Sequence, residues 1–436
     1  MKQTLFLVAI LAGAIPVTLV NPFVGLLVYY AFATLYPQHL WDHALPPGIR
    51  WSLLIGVPTL IGFVAHGFAR SRAGARWPME KKLMAVLAVL IGLSMVDAID
   101  PTLAGRQLYY LAVIFTMFFV GCALIDSRYR LHALAILLVG TLGWVAFDFN
   151  QRYVLMDQTH ILMRGFGDLD NNGAATLMVM GMPFCVFLVT QERQWYFKAV
   201  ALGALALMLH MVLFSMSRAA MLACLIMLPL LLLRLRDRRL GVGLLAVTIV
   251  LAVVLAGREV RARFMSIADY QTDTSAQIRL DAWKTGWQVI QDYPVLGVGP
   301  DCFRRVVGDY AFELKGRTMH NRFIQTAVDM GLPAALALVG ALLTALWHLE
   351  RLRRRHRDDP FVFNLATCLQ SCLIGYILAG MFVSIGTVEL PYIALAMVVG
   401  LRNIVAEEKL AFAVEPSAGR RRRARRQLQA VRPVPV

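Results

Sequence analysis

The chain has 436 residues, of which 58% are hydrophobic and only 16% charged, and its mean hydropathy is +0.62. That apolar share exceeds what soluble domains carry and excludes an ordinary soluble enzyme. A formal net charge of +16 raises nucleic acid as a partner, but the placement of the basic residues excludes it, as shown below.

Apolar runs of about 17–22 residues recur along the sequence, the length an α-helix needs to cross the hydrocarbon core. A β-barrel would instead show short alternating segments, which are absent. The first run, Thr4 to Val20, has only Lys2 ahead of it and no clear small-residue cleavage site. It reads as a retained span rather than a signal peptide. Thr4–Pro37 is apolar around Asn21-Pro22 and is either a short hairpin or a single span with a re-entrant piece. Further spans are expected near 51–68, 83–98, 107–125, 132–148, 173–191, 199–216, 219–233, 240–256, 329–348, 362–383 and 388–404. The expected fold is therefore all-α and polytopic, with about twelve transmembrane helices. Four regions follow: an N-terminal bundle (1–256), one large extracytoplasmic loop (257–328), C-terminal helices (329–405) and a basic tail (406–436). Neither an internal repeat nor a separate soluble domain is evident.

The basic residues cluster in the short links between runs. Examples are Arg70, Arg72, Arg76, Lys81 and Lys82; Arg128 and Arg130; Arg234 through Arg239; Arg351 through Arg357; and Arg420 to Arg426. Such links face the cytoplasm under the positive-inside rule, and the tail rests near anionic headgroups. Alternating the spans then places 99–106, 149–172, 215–219, 257–328 and 384–388 outside. Five cysteines lie in apolar runs and only Cys302 in the long loop, so no disulfide framework is implied.

Two outer segments depart from the charge rule. Residues 257–328 hold ten Arg/Lys against eight Asp/Glu. Arg218 sits in Ser215-Met216-Ser217-Arg218, the tight outer link between two spans, where a charge is functional or snorkels to the interface. The spacing favours neither. Residues 277–290 have amphipathic spacing, with Ile278, Ala282, Trp283, Trp287 and Ile290 on one face, and suit a helix lying at the lipid interface. Arg279 projects from its first turn, off that stripe. Pro294-Val295-Leu296-Gly297-Val298-Gly299-Pro300 then reads as a chain reversal in preference to a phosphate cradle. His320 stands at the outer end of a span expected to start near Asp329. It shares a face with Arg218 and Arg279, so a titratable base lies beside groups suited to phosphate. His160 and His210 have no such company. The Asp168–Gly173 stretch reads as a helix N-cap; it lacks the spaced ligands of an EF-hand.

Together, Ser-x-Ser-Arg (215–218), Arg-x-x-x-Trp (279–283), the Pro/Gly turn (294–300) and His-Asn-x-Phe (320–323) resemble the O-antigen ligase and polymerase superfamily over residues 165–345. The N-terminal 170 residues, with Asn21-Pro22-Phe23-Val24-Gly25 and Tyr36-Pro37, more loosely resemble O-glycosylation ligases associated with exosortase systems. The resemblance implies a GT-C-like glycosyltransferase in the bacterial inner membrane, its active site facing the periplasm. Its donor would be a glycan on undecaprenyl diphosphate and, in the ligase branch, its acceptor the lipid A-core. It implies His320 as the catalytic base and Arg218 and Arg279 as binders of the donor. Ser217, Arg164, Asn321 and Trp283 are further candidates. Neither a metal nor another cofactor is expected. A polymerase, a protein O-oligosaccharyltransferase and a lipid-linked glycan flippase are the alternatives; the last would need ionisable residues deep in several spans, and few are present.

Overall fold

In the computed structural model, residues 2–68, 75–156, 165–167, 169–265 and 274–414 are described. Arg164, Asp168, His160, Arg70, Arg72 and the tail cluster Arg420 to Arg426 lie outside them. Among the described residues every regular element is a helix, apart from an isolated bridge between Phe166 and Leu169. The order is α1 (Lys2–Val20), α2 (Pro22–Leu35), α3 (Pro37–Leu40), α4 (Trp51–Ala65), α5 (Met79–Leu93), α6 (Pro101–Leu124), α7 (Arg128–Met156), α8 (Asn171–Gln191) and α9 (Trp195–Phe214). Then follow α10 (Arg218–Leu232), α11 (Arg238–Leu255), α12 (Arg258–Met265), α13 (Thr274–Asp292), α14 (Phe303–Tyr310), α15 (Arg322–Arg355), α16 (Pro360–Gly380) and α17 (Leu390–Val414). Among the described residues nine helices are long and apolar enough to cross a membrane, and α4 and α10 are shorter apolar helices. The fold is all-α and polytopic.

Asn21-Pro22 breaks the first apolar stretch into two helices. Pro22 supplies a preset φ at the start of α2, where its missing N–H is not needed. Thr4 donates to the Ala44 carbonyl at 2.8 Å, so the start of α1 and the end of α2 share one end of the molecule. The last turn of α4 reaches the opposite end, where Gly62 lies against Thr18, Leu19 and Pro22. The stretch is thus a helical hairpin, and α2, at about 21 Å, is short for a span.

At the centre lies α8, almost wholly buried, packed against α7, α9, α10 and α16. On the periphery, α11 exposes Val247, Val250 and Val254, the apolar surface a lipid-facing helix needs.

The polar groups sort to two ends. At one, basic links are held in ion pairs: Arg128 with Asp359 and Glu408 (both 2.7 Å), Arg234 with Glu350, and Arg402 and His348 with Glu80. The other end gathers all four sequence motifs, together with residues 99–100, 166–167, 169–172 and 384–386. This two-ended arrangement is what the basic-link alternation requires. We expect 275–320 to be labelled by an impermeant thiol reagent from outside intact spheroplasts, and 351–359 to be protected, in single-cysteine variants. The reverse pattern would invert the topology.

Candidate active site

The second motif end begins with the link between α9 and α10. Helix α9 stops at Phe214, and Met216 adopts a left-handed conformation (φ 55°), which non-glycine residues rarely adopt. Ser217 then caps α10, accepting from the Ala220 amide at 3.3 Å, and its hydroxyl donates to Asn172 Oδ1 at 2.8 Å. Asn171 donates to the Ser215 carbonyl at 2.8 Å. Ser217 is fully buried, so its role here is to fix the turn. Arg218 follows as the first helical residue, half-buried, on a backbone the two asparagines hold from outside the helix.

Asp170 accepts from the Gly173 amide at 2.8 Å and caps α8, as the sequence pattern predicts. Its charge has a second effect, since it acts on His320 and favours the imidazolium. The segment 170–172 therefore joins the turn carrying Arg218 to the residue expected to be the base. Sequence reasoning identified the cap but missed this link, because it depends on an electrostatic influence between groups 150 residues apart in the chain.

His320 is the second left-handed residue of the site (φ 48°) and, like Met216, directly precedes an N-cap. Asn321 is that cap, accepting from the Phe323 and Ile324 amides at 3.0 Å each, and it is buried. Trp283 donates its indole N–H to the Met319 carbonyl at 3.1 Å and tilts against Phe382. Backbone held away from its preferred wells costs on the order of 1–3 kcal/mol per residue and persists where surrounding contacts over-determine it. Trp283 and Asn321 supply those contacts on either side of His320. The imidazole is half-buried, with Nε2 3.0 Å from Thr318 Oγ1. Its pKa lies below the ordinary value of 6.5, first because burial disfavours the cation, then because Arg279 faces it; Asp170 opposes and Arg317 adds to the depression. Arg279 is thus at the site with His320. It is half-buried in the first turns of α13.

Two sequence expectations need adjusting. The buried face of α13 is Ala282, Thr285, Gly286, Val289 and Ile290, while Trp287 is exposed. The helix packs on α15, where Gly286 lets Met319 and Ile324 approach, so the two tryptophans do not share one function. The helix after His320 begins at Arg322, not near Asp329, and kinks at Gly331 (φ 84°). Its first turns are polar in sequence yet buried, and they carry an acidic residue missed above, Asp329.

Asp329 explains the Pro/Gly turn. Its carboxylate accepts from the Asp301 and Phe303 amides at 3.1 Å each and from Gln325 at 2.8 Å. The Val298 and Gly299 amides donate to the Val328 and Asp329 carbonyls, at 3.0 and 2.9 Å. Gly297 and Gly299 have positive φ and sit where a Cβ would strike α15 or Ala98. With these amides committed to α15 the turn reverses the chain. Those four amides are therefore not open to a phosphate.

Residues 203–339, which contain all four motifs, match the family model described as O-Antigen ligase. Residues 1–149 match a second one, a family of unknown function (DUF5935). No curated protein matches the chain. By this match residues 203–339 are an O-antigen ligase domain, and members of that superfamily are glycosyltransferase-like ligases and polymerases.

Proposed function

We propose that the protein is an inner-membrane glycosyltransferase that moves a glycan from undecaprenyl diphosphate to a hydroxyl of the lipid A-core on the periplasmic face. The observation that carries the proposal is the grouping of Arg279, Asp170 and His320, with the Arg218 turn tied in through Asn171 and Asn172. Departure of a lipid diphosphate develops negative charge on phosphate oxygens. Arginine's planar fork binds such oxygens in bidentate fashion and stays charged at every relevant pH. Arg218 and Arg279 take that role, and the reaction then needs no divalent cation.

His320 accepts the proton of the attacking hydroxyl. Its Nε2 is engaged by Thr318. The proton is therefore received on Nδ1, while Nε2–H donates to the threonine oxygen. The acceptor oxygen forms the new bond to the anomeric carbon as the bond to the diphosphate oxygen breaks. Asp170 faces the imidazolium that results. Displacement in one step inverts the anomeric configuration.

The superfamily takes in polymerases as well as ligases, which leaves a second reading of the acceptor alone: a protein hydroxyl or another lipid-linked glycan. Purified protein in proteoliposomes, given one defined lipid-linked glycan and each acceptor in turn, decides between them. Transfer to the lipid A-core supports the first reading; transfer only to protein or to lipid-linked glycan replaces it.

A further inference from the structure

Arg322, two residues after His320, is a charged residue that the reaction above leaves unused. It occupies the first helical position of α15 and is only 4% exposed. Its guanidinium faces neutral oxygens: Nη2 is 3.4 Å from the Tyr392 hydroxyl, and the Tyr376 hydroxyl lies beside it. Tyr392 in turn donates to the Gly386 carbonyl at 3.1 Å. The carboxylate whose charge acts on it, Asp329, is already bonded to Gln325 and to two amides. Among the described residues Arg322 has no ion-pair partner, and its Nε has no acceptor.

The contrast lies at the other end of the molecule, where Arg128, Arg234 and Arg402 each meet a carboxylate. A buried, uncompensated cation costs several kcal/mol, and such residues in membrane proteins mark ligand sites. Gly386 adds a second observation. A Cβ there would stand 2.5 Å from Nη1, so the guanidinium lies on bare backbone of the outer link between α16 and α17. Gly386 and Thr387 are themselves half-exposed, which leaves a short path from solvent to the cation.

We propose that Arg322 is a third anion-binding position, which receives a phosphate group of a substrate entering at the outer ends of α15, α16 and α17. This rests on the reading of the neighbouring His320 as the reaction centre. The phosphate belongs either to the donor diphosphate or to a phosphorylated acceptor core, and the chemistry recognised is the same.

The test uses the purified full chain in detergent, with Arg322→Met and Gly386→Ala as variants. Thermal stability and direct binding are measured with undecaprenyl diphosphate, a phosphorylated lipid A-core and phosphatidylglycerol. Arg322→Met removes an uncompensated charge while keeping the side chain's length, so the ligand-free protein should melt no lower than the parent. It should lose about tenfold or more in affinity for the diphosphate, the phosphorylated core or both, and whichever is lost names the source. Gly386→Ala keeps the charge but displaces it, and should show the same defect. That variant also keeps the proposal falsifiable if Arg322→Met does not fold. Unchanged affinity for both substrates in either folded variant overturns the proposal, as does a loss confined to phosphatidylglycerol. Binding is read without turnover, so failure here is distinct from failure of His320 as a base.

Discussion

Replacing His320 by alanine is expected to reduce transfer by about a hundred- to ten-thousand-fold, the usual contribution of a positioned general base. Binding of the lipid-linked donor should persist, because the arginines hold the diphosphate. The pH profile provides an independent check. Burial and Arg279 hold the His320 pKa below its ordinary value, so the working neutral form predominates at pH 7. Transfer should fall as pH drops through that lowered pKa, with the acid limb below 6.5. Neutralising the depressing cation with Arg279→Gln should move the limb upward in whatever activity remains. A His320→Ala enzyme that turns over normally, or that fails only by unfolding or losing donor, would remove His320 from the mechanism.

Arg218→Lys and Arg279→Lys should each lower transfer by about tenfold or more, and the alanine variants by about 10²–10³-fold, in the range measured for removing one preorganised donor to developing charge. Lysine keeps the charge but presents a point cation in place of the fork. The distinguishing observation is therefore a lysine variant well below the parent enzyme. Parental rates in both lysine and both alanine variants would make these arginines structural. Transfer should also continue in excess EDTA; a complete loss restored by magnesium would return attention to the carboxylates around residue 170.

The sequence discloses those parts of the molecule that local chemistry determines. Hydropathy finds the helices, and Asp100, Asp170, Ser217, Asn321 and Asp359 all cap the helices they precede, each accepting from an amide inside the first turn. Six free cysteines agree with the absence of a disulfide framework, Cys302 included, since it is buried against the Asp100 carbonyl. What escapes the sequence is set by partners distant in the chain. Arg322, Gln325 and Asp329 look like the end of a solvated loop, but Tyr392, Ser384 and the Asp301 amide bury them, and the helix starts seven residues earlier than its apolar run. The face of α13 is misread for the same reason: Gly286, with no side chain, sits at the tightest contact, while the large Trp287 points outward. An acidic residue in an otherwise apolar stretch was a legible signal for Asp329. Nothing local marks Asp170 as a neighbour of His320.

The central claim is one-step displacement by an acceptor hydroxyl activated by His320. Its most direct test is the configuration of the new linkage, read by NMR on product made by the purified protein in proteoliposomes from a donor of known anomeric configuration. The account predicts a single product with the configuration inverted at the carbon that left the diphosphate. Retention of configuration, which requires two displacements and a covalent intermediate, would contradict it.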